Sequence, residues 1–276
     1  MKFLKKWVPT SVLSIISVIY IFPIALVLVN SFKNKIYITR RPFELPTEKS
    51  VVGFENFVSA IDKYGLLDAV FTTLFITVGS VLVILLFTSM AAWYVVRVKN
   101  RFTKLFYYLC LFSMIVPFQM VMFTLTTTAD RLHLGNPLGI IIVYLGFGAG
   151  LSIFMFVGFI KSIPLEIEEA AMVDGCSPIR CFFSVIMPIL KPTYISVGIL
   201  QTMWIWNDFL LPYLVLDRTK YMTIPTVIQF MKGSYGRVDM GAIMAALILA
   251  IIPIIIFYLT LQKHIIKGVA AGSVKG

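Results

Sequence analysis

Charged residues are scarce in this chain of 276 residues: only 13% are Asp, Glu, Lys or Arg, whereas 59% are hydrophobic and the mean hydropathy is +0.92. That leaves too little polar surface to face water, which excludes an ordinary soluble domain. Cysteine is also rare. None of the three, Cys110, Cys176 and Cys181, falls in a predicted outer loop, so no disulfide framework is expected. Cys176 and Cys181 have no nearby companion ligands, so no metal site is expected either.

Several catalytic motifs are also missing from the sequence. There is no G-x4-G-K-[ST] phosphate loop and no H-E-x-x-H metal pair, so this chain is not expected to hydrolyse ATP or act as a metalloenzyme. Asp174-Gly175 matches the start of the alcohol phosphotransferase signature, but the Ala-Arg pair and later aspartates of that signature are absent. A secondary carrier would show an inverted repeat or several buried ion-coupling acids, and neither is seen. A carrier is therefore the less favoured alternative.

What the sequence does contain is six long apolar stretches, each able to cross a hydrocarbon core about 30 Å thick. Five have no charged residue, and the fifth in order has only Asp208. Proline inside spans, at positions 23, 117, 212 and 253, predicts local kinks. No repeat or low-complexity tract marks a second domain, so the prediction is one all-α transmembrane domain over residues 1–276. Its six spans are Trp7–Phe32, Ala69–Val96, Leu105–Ala129, Pro137–Ile160, Thr193–Leu216 and Gly241–Gln262.

The net charge of +11 is explained by membrane orientation rather than by nucleic-acid binding. The short loop Arg97–Lys104 holds four basic residues and no acid, and Lys2, Lys5 and Lys6 precede the first span. Short loops rich in Lys and Arg stay on the cytoplasmic side. The first apolar run is too long for a signal peptide, so it is predicted to be an uncleaved helix. Both termini are therefore predicted to be cytoplasmic.

Residues 161–192, between the fourth and fifth spans, form a polar segment with its own helix signals. Pro164 suits a first helical turn, and Leu165–Val173 is rich in Glu and Ala. Negative side chains early in a helix complement its dipole, and three are present: Glu166, Glu168 and Glu169.

Gly175 should end that helix, because glycine adopts positive φ without steric cost. Ser177 is a natural N-cap and Pro178 a natural first residue for a second helix, with Pro188 near its end. Helical spacing predicts one apolar stripe on that helix, made of Ile179, Phe182, Phe183, Ile186 and Leu190. The residues alone leave two interpretations open: a loop resting on lipid or bundle, and a docking surface.

Residues 169–188 contain the string EAA, followed by three residues, Gly, nine residues and V-x-M-P. This pattern resembles the EAA loop of permease subunits of binding-protein-dependent ABC importers, which reads EAA-x3-G-x9-I-x-L-P. Val185 and Met187 replace Ile and Leu. Three further strings are similar to stretches of the carbohydrate-importer branch of this family: IPLEIEEAAMVDGCS at 163–177, RLHLGNPLGIIIVYL at 131–145 and WNDFLLPYLVL at 206–216. The end, GVAAGSVKG at 268–276, resembles that of the second permease of maltose-type systems.

This resemblance implies the type I ABC importer permease fold and assigns roles to two segments. The loop 161–192 would seat in a cleft of a cytoplasmic ATPase, with Phe182 and Phe183 anchoring it to the bundle or to the ATPase. The residues implied in this coupling are Glu169, Ala170, Ala171, Asp174, Gly175, Phe182 and Phe183. Within the tail 263–276, the residues implied to contact the ATPase pair are Ala271, Gly272, Ser273, Val274 and Lys275. A frayed terminus is the alternative for the tail.

The resemblance implies import of a carbohydrate through alternating access in a bacterial or archaeal plasma membrane, with an oligosaccharide as the expected substrate. The implied partners are a second permease, two ATP-binding cassette subunits and an extracytoplasmic sugar-binding protein. ATP and Mg would bind the ATPase, and no cofactor would bind this chain. Direction of transport also rests on the resemblance. An ABC permease for another solute, such as a glycerophosphodiester or a polyamine, is the nearest alternative.

Polar and aromatic residues inside two spans are candidates for the substrate pathway. Three of these residues lie roughly 22 Å from the cytoplasmic ends of their spans, counted at 1.5 Å per residue. They are Gln119 in the third span and Asn207 and Asp208 in the fifth. Trp204 and Trp206 could stack on a sugar. The alternative, which the residues alone favour, is interhelical hydrogen bonding with an aromatic belt.

Overall fold

A computed structural model describes residues 2–233 and 238–273, with side chains described for 7, 9–233 and 238–263. These residues fold into helices. One antiparallel β-bridge pairs Lys33 with Val51. The first part of the chain contains α1 (Lys2–Ser31), α2 (Lys35–Arg40), α3 (Glu55–Val58), a π-helical segment (Ser59–Lys63) and α4 (Leu66–Arg97). The middle contains α5 (Arg101–Ser113), α6 (Phe118–Arg131) and α7 (Pro137–Ile160).

The polar loop begins the last part of the chain. It contains α8 (Glu166–Val173), α9 (Pro178–Cys181), a second π-helical segment (Phe182–Ile186) and α10 (Met187–Ile189). After it come α11 (Lys191–Asn207), α12 (Leu210–Val215), α13 (Ile224–Met231) and α14 (Met240–Ser273). The chain divides into two units. One comprises residues 1–70 and 224–258, the other residues 71–223 and 259–276.

Four of these helices are long and apolar enough to cross a membrane: Pro9–Ser31 of α1, α4, α7, and Met240–Lys263 of α14. The count rises to six if each of two bent helix pairs is taken as one span. These results confirm an all-helical, multi-pass architecture, and α7 has the predicted bounds of the fourth span. Pro23 and Pro253 lie inside helices that continue past them.

The third predicted span is broken in two. α5 and α6 meet at an angle of 108°, and Pro117 sits immediately before α6 with an extended ψ of 135°. Proline has no N–H to continue a helix and disfavours helical geometry in the residue before it, so the chain turns at this point. The break corrects the expectation of a merely kinked helix over Leu105–Ala129.

The fifth predicted span is also discontinuous. α11 ends at Asn207, Asp208 is extended with ψ 122°, and the chain re-enters a helix at Leu210. The carboxylate of Asp208 accepts hydrogen bonds from the N–H groups of Leu210 (3.0 Å) and Leu211 (3.4 Å), so it caps the new helix. At its other end α11 meets the helical segment Pro178–Ile189 at 77°.

Two clusters of buried side chains form the core of the unit that contains α7. One surrounds Tyr144 with Ile76, Ile84 and Ile205, and the other surrounds Phe156 with Phe182 and Ile186. By contrast, the membrane-length stretch of α1 buries only Asn30 and Ser31, at its C-terminal end, and its most apolar part buries no residue in the chain. An apolar helix of that kind needs lipid or another subunit to cover it.

Candidate functional site: the coupling loop

We call residues 161–192 the coupling loop. α8 begins at Glu166, so Pro164 lies one residue before the N-cap Leu165 rather than within the first turn. The loop turns at Gly175, whose φ is +82°. The N–H of Gly175 donates to the Met172 carbonyl and the N–H of Cys176 to the Ala171 carbonyl, both at 3.0 Å. This pair of bonds is a Schellman motif, and the predicted positive φ at Gly175 is confirmed.

The second helix starts where the sequence predicts. Ser177 is the N-cap, its hydroxyl accepts the N–H of Arg180 at 3.4 Å, and Pro178 is the first helical residue. After four residues the helix widens into the π-helical segment, in which the N–H of Met187 donates to the Phe182 carbonyl, five residues back. Pro188 follows directly and has no N–H to offer.

The predicted single apolar stripe is divided between two faces, which corrects that prediction. Phe182, Ile186 and Leu190 are completely buried, whereas Ile179 is 67% exposed and Phe183 43% exposed. A π-helical turn inserts an extra residue and rotates everything after it around the helix axis. The buried set recurs every four residues and holds the loop on the bundle, while Ile179 and Phe183 stay outside.

Phe182 therefore anchors the loop within its own chain. Its ring lies 5.5 Å from that of Trp93 in α4 and 5.2 Å from that of Phe183, edge to face in the second case. Such aromatic pairs contribute about 0.5–1.5 kcal/mol beyond their buried area. Of the two anchoring partners that the resemblance allowed, the bundle is the one that Phe182 contacts.

A buried ion pair, which the sequence analysis missed, forms the second anchor. Glu168 is 1% exposed; its Oε1 accepts a hydrogen bond from Arg97 Nε at 2.7 Å and forms an ion pair with Arg97 Nη2 at 2.6 Å. Its Oε2 accepts the indole N–H of Trp93 at 2.9 Å, and Arg97 also donates to the Ile163 carbonyl at 3.1 Å. Both carboxylate oxygens are thus satisfied, which is the condition for keeping a charge buried.

A local signal for this pair exists in the sequence. Trp93 and Arg97 are four residues apart at the end of α4 and so share a helix face. An acid in the first turn of the coupling loop could complete the set. Three acids occur there, however, and only the packing selects Glu168 over Glu166 and Glu169.

The outer surface of the coupling loop exposes several apolar side chains. Val173 is 87% exposed, and Met172, Ile179 and Phe183 are also exposed. Among the residues implied in coupling, Glu169, Ala170, Asp174 and Gly175 are exposed and Ala171 is half-buried. Small and apolar side chains at the tip of a loop are typical of a surface that another protein covers.

Cys181 lies beneath this surface. Burial raises the pKa of its thiol, and the negative charge of Glu168 raises it further. The thiol therefore stays protonated near neutral pH, and a packing role suits it better than a nucleophilic one.

Two of the five substrate-pathway candidates come together. Asp208 accepts a hydrogen bond from the hydroxyl of Tyr144 at 3.0 Å, and the Trp204 ring meets the Tyr144 ring edge to face at 5.5 Å. Tyr144, on α7, was not singled out in the sequence. The contact is an interhelical hydrogen bond of the kind the alternative interpretation described, and the substrate role stays a prediction.

The other three candidates take no part in these two contacts. Trp206 is buried, while Gln119 and Asn207 are exposed. The side-chain amide of Asn207 donates to the Met203 carbonyl of its own helix at 2.7 Å. A neighbouring residue, Gln201, is buried and donates to the Gly148 carbonyl and the Ser152 hydroxyl, linking α11 to α7.

A polar cavity of about 750 Å³ lies where α6 and α12 end. His133, on its rim, has φ +54° in place of the usual glycine at a helix terminus. The loop on the opposite side is fixed by a hydrogen bond from the Asp217 N–H to the Gly135 carbonyl at 2.9 Å. The polar lining of the cavity includes Thr126, Thr127, Asp130, Asn136, Lys220 and Tyr221.

The structure describes only part of the predicted tail. Ala271, Gly272 and Ser273 are the last residues of α14, whereas Val274 and Lys275 lie outside the described residues. The role of the tail stays a prediction.

The architecture and the coupling loop define a membrane transport subunit, and comparison with known proteins identifies its family. Residues 84–271 match the family described as the inner membrane component of binding-protein-dependent transport systems. The chain belongs to this family, and it is a multi-pass transport permease.

Relatives of known name extend over nearly the whole chain. It is 37% identical to a probable permease for starch degradation products of Thermoanaerobacterium thermosulfurigenes, over 98% of this chain and 97% of that protein. It is 34% identical to the permease of a multiple sugar-binding transport system of Streptococcus mutans, over 95% of each. Its fold matches a chain of a bacterial ABC transporter for the acidic polysaccharide alginate, with a TM-score of 0.70, 23% identity and coverage of 94% and 96%.

Proposed function

We propose that this chain is the permease subunit of an ATP-driven importer that moves a carbohydrate, in particular an oligosaccharide, across a bacterial or archaeal plasma membrane. The coupling loop is the observation that carries the proposal. It is fixed to the bundle by Glu168 and Phe182 and presents small and apolar side chains outward. The names of the relatives support a carbohydrate as the substrate.

The proposed topology has six spans with both termini cytoplasmic, in which α5 and α6 together form the third span and α11 and α12 together form the fifth. The coupling loop and the basic residues at 97–104 then share the cytoplasmic face, in agreement with the distribution of positive charge. The polar cavity bordered by His133 and Asp217 falls on the outer face, where a binding protein would deliver its sugar.

Four partners complete the proposed assembly: a second permease, two ATPase subunits and an extracytoplasmic sugar-binding protein. ATP and Mg would bind the ATPases, and hydrolysis would take place there. Glu169, Ala170 and Ala171 would contact the ATPase, with Asp174 and Gly175 shaping the turn and Phe183 in the contact. The tail residues 271–275 would enter the interface of the ATPase pair.

Rigid attachment explains how the coupling loop could act as a lever. Movement of the ATPase would be transmitted to α4 through the Arg97–Glu168 pair and the Trp93–Phe182 contact rather than lost in a flexible loop. Alternating access then requires that the bundle have two arrangements, biased by different contacts in each. The two interrupted spans supply the breaks at which helices could reorient.

Co-purification from native membranes tests the proposed assembly. The tagged chain should recover a second permease and an ATPase, and ATP hydrolysis by the reconstituted assembly should rise with binding protein and oligosaccharide. Recovery of the chain alone would contradict the assembly. Stimulation by a glycerophosphodiester or a polyamine instead of an oligosaccharide would contradict the substrate.

Substitution of Gly175 tests the coupling loop. A Cβ at Gly175 would meet no atom within 4 Å, so the cost of a side chain comes from its φ of +82°. Gly175→Val should cost about 1–2 kcal/mol in the left-handed region and misdirect the second helix, reducing ATPase recovery. Gly175→Asn should retain recovery, because Asn tolerates this region.

Gly53→Val is a matched control, because Gly53 has φ +59° and equally open surroundings outside the coupling loop. It carries similar backbone strain and should leave ATPase recovery unchanged. Equal loss in Gly53→Val and Gly175→Val would show that strain anywhere disrupts the assembly, and the specific role of the coupling loop would be rejected.

A further inference from the structure

A cavity of about 510 Å³ lies at the basic end of the bundle, between the C-terminal ends of α4 and α7 and the beginning of α5. Lys161, the first residue of the coupling loop, lines it, but none of the seven residues implied in coupling and none of the substrate-pathway candidates does. Its position at the end of three membrane-spanning elements places it at the boundary between hydrocarbon and headgroups.

Four cations surround this cavity: Lys99, Arg101, Lys104 and Lys161. All four are exposed, and no carboxylate contributes to the lining. Among residues with described side chains, no Asp or Glu forms an ion pair with any of them. Lys161 lies 6.0 Å from the ring centroid of Tyr107, which holds one cation over the cavity wall. Their summed charge is complementary to an anion.

Apart from Asn100 and Thr103, the remaining wall is apolar. Val95 and Val96 of α4, Val157 of α7 and the ring of Tyr107 contribute to the lining. Soluble anions gain nothing from such a wall, whereas an acyl chain running along the helices would bury it. Cations above and hydrocarbon below match the two chemical halves of a phospholipid with an anionic headgroup.

We propose that this cavity is a binding site for an anionic phospholipid of the phosphatidylglycerol type. The phosphodiester contacts Lys99, Arg101, Lys104 and Lys161, and an acyl chain lies against Val95, Val96 and Val157. Basic loops that only orient a membrane protein need positive charge, but they need no cavity with an apolar wall.

The site adjoins the anchor of the coupling loop. Lys99 is two residues from Arg97, and Lys161 is two residues from Ile163, whose carbonyl accepts a hydrogen bond from Arg97. A lipid held by Lys99 and Lys161 therefore bridges α4 to the start of the coupling loop. This consequence depends on the proposed coupling role, whereas lipid binding itself does not.

Lipid binding is measured on the full chain with its accompanying subunits, after delipidation in detergent. The sample is titrated with phosphatidylglycerol or with phosphatidylcholine, and native mass spectrometry counts the bound lipids. Phosphatidylglycerol should bind at least about tenfold more tightly. Each cation near an anionic headgroup contributes about fivefold, so Lys104→Gln with Lys161→Gln should weaken binding by about 25-fold. Lys104→Arg with Lys161→Arg should retain it.

The matched control is Lys49→Gln with Lys232→Gln, which removes two exposed charges elsewhere. It should leave phosphatidylglycerol binding unchanged, and an equal loss there would overturn the proposal by reducing the effect to net charge. Displacement of the lipid by inorganic phosphate at equal concentration would also overturn it, since the site would then hold a free anion.

Crosslinking on the unaltered protein provides a test that does not depend on variants assembling. A photoactivatable phosphatidylglycerol should label peptides within residues 95–107 and 157–161. Labelling spread evenly over all the spans would overturn the site even if the Gln variants failed to assemble.

Discussion

At the residue scale, the attachment of the coupling loop depends on one buried charge. Glu168 is held by Arg97 and Trp93, all within hydrogen-bond distance. Since a buried carboxylate is tolerated only with its partners present, each partner has a larger effect than its single contact suggests.

Arg97→Gln should therefore be strongly destabilising. It leaves the Glu168 carboxylate buried without a cation, which costs about 3–5 kcal/mol. Glu168→Gln should cost less, because Arg97 is partly exposed and can reach water. Thermal unfolding of the purified assembly in detergent measures both changes.

The double variant Arg97→Gln/Glu168→Gln completes the test. It should be more stable than the sum of the single changes predicts, by about 0.5–3 kcal/mol. Strict additivity would mean that the pair contributes no coupling. Lys49→Gln, which removes an exposed charge, should leave unfolding unchanged.

At the scale of elements, two glycines on different faces of α7 set how closely its neighbours approach. A Cβ at Gly150 would lie 2.7 Å from the Cys110 carbonyl oxygen of α5 and 2.8 Å from the Ser113 hydroxyl. A Cβ at Gly148 would lie 2.6 Å from Ile84 Cδ1 of α4. Small residues permit this close backbone contact between membrane helices.

Gly150→Ala should force α5 away from α7 and destabilise the purified protein by about 1–3 kcal/mol, since a backbone carbonyl cannot move aside as a side-chain end can. Gly158→Ala, on the same helix, meets nothing within 4 Å and should be neutral or stabilising by up to about 1 kcal/mol. Thermal melts of the two variants compare them directly, and equal destabilisation would contradict the packing argument.

At the scale of the whole molecule, the open question in the proposed topology is whether α5 and α6 form one span. Their 108° angle also fits a loop that re-enters and leaves on the same side. The apolar composition of 105–129 alone does not distinguish these two paths.

Cysteine labelling separates them. In a background without native cysteines, Arg131→Cys should react with a membrane-impermeant thiol reagent from outside, and Lys99→Cys only after the membrane is permeabilised. Both positions are exposed on the chain surface. Labelling of both from the same side would mean that α5 and α6 do not cross, which would contradict six spans.

What could be predicted from the sequence depends on how local each signal is. The turn at Gly175 and the helix start at Ser177 and Pro178 were placed correctly, because caps are decided by the few residues that form them. The apolar stripe was misassigned, since the π-helical widening before Pro188 changes which residues share a face.

By itself, the sequence determined that this is a helical membrane protein with a polar, turn-containing segment at 161–192, because hydrophobic length and capping residues act over one helix or one turn. Only the tertiary structure decided that Glu168, among three neighbouring acids, pairs with Arg97, and that Tyr144 meets Asp208. These partners lie 71 and 64 residues apart. Their pairing follows from how the helices pack, and a buried charge or polar group persists only where packing delivers a partner to it.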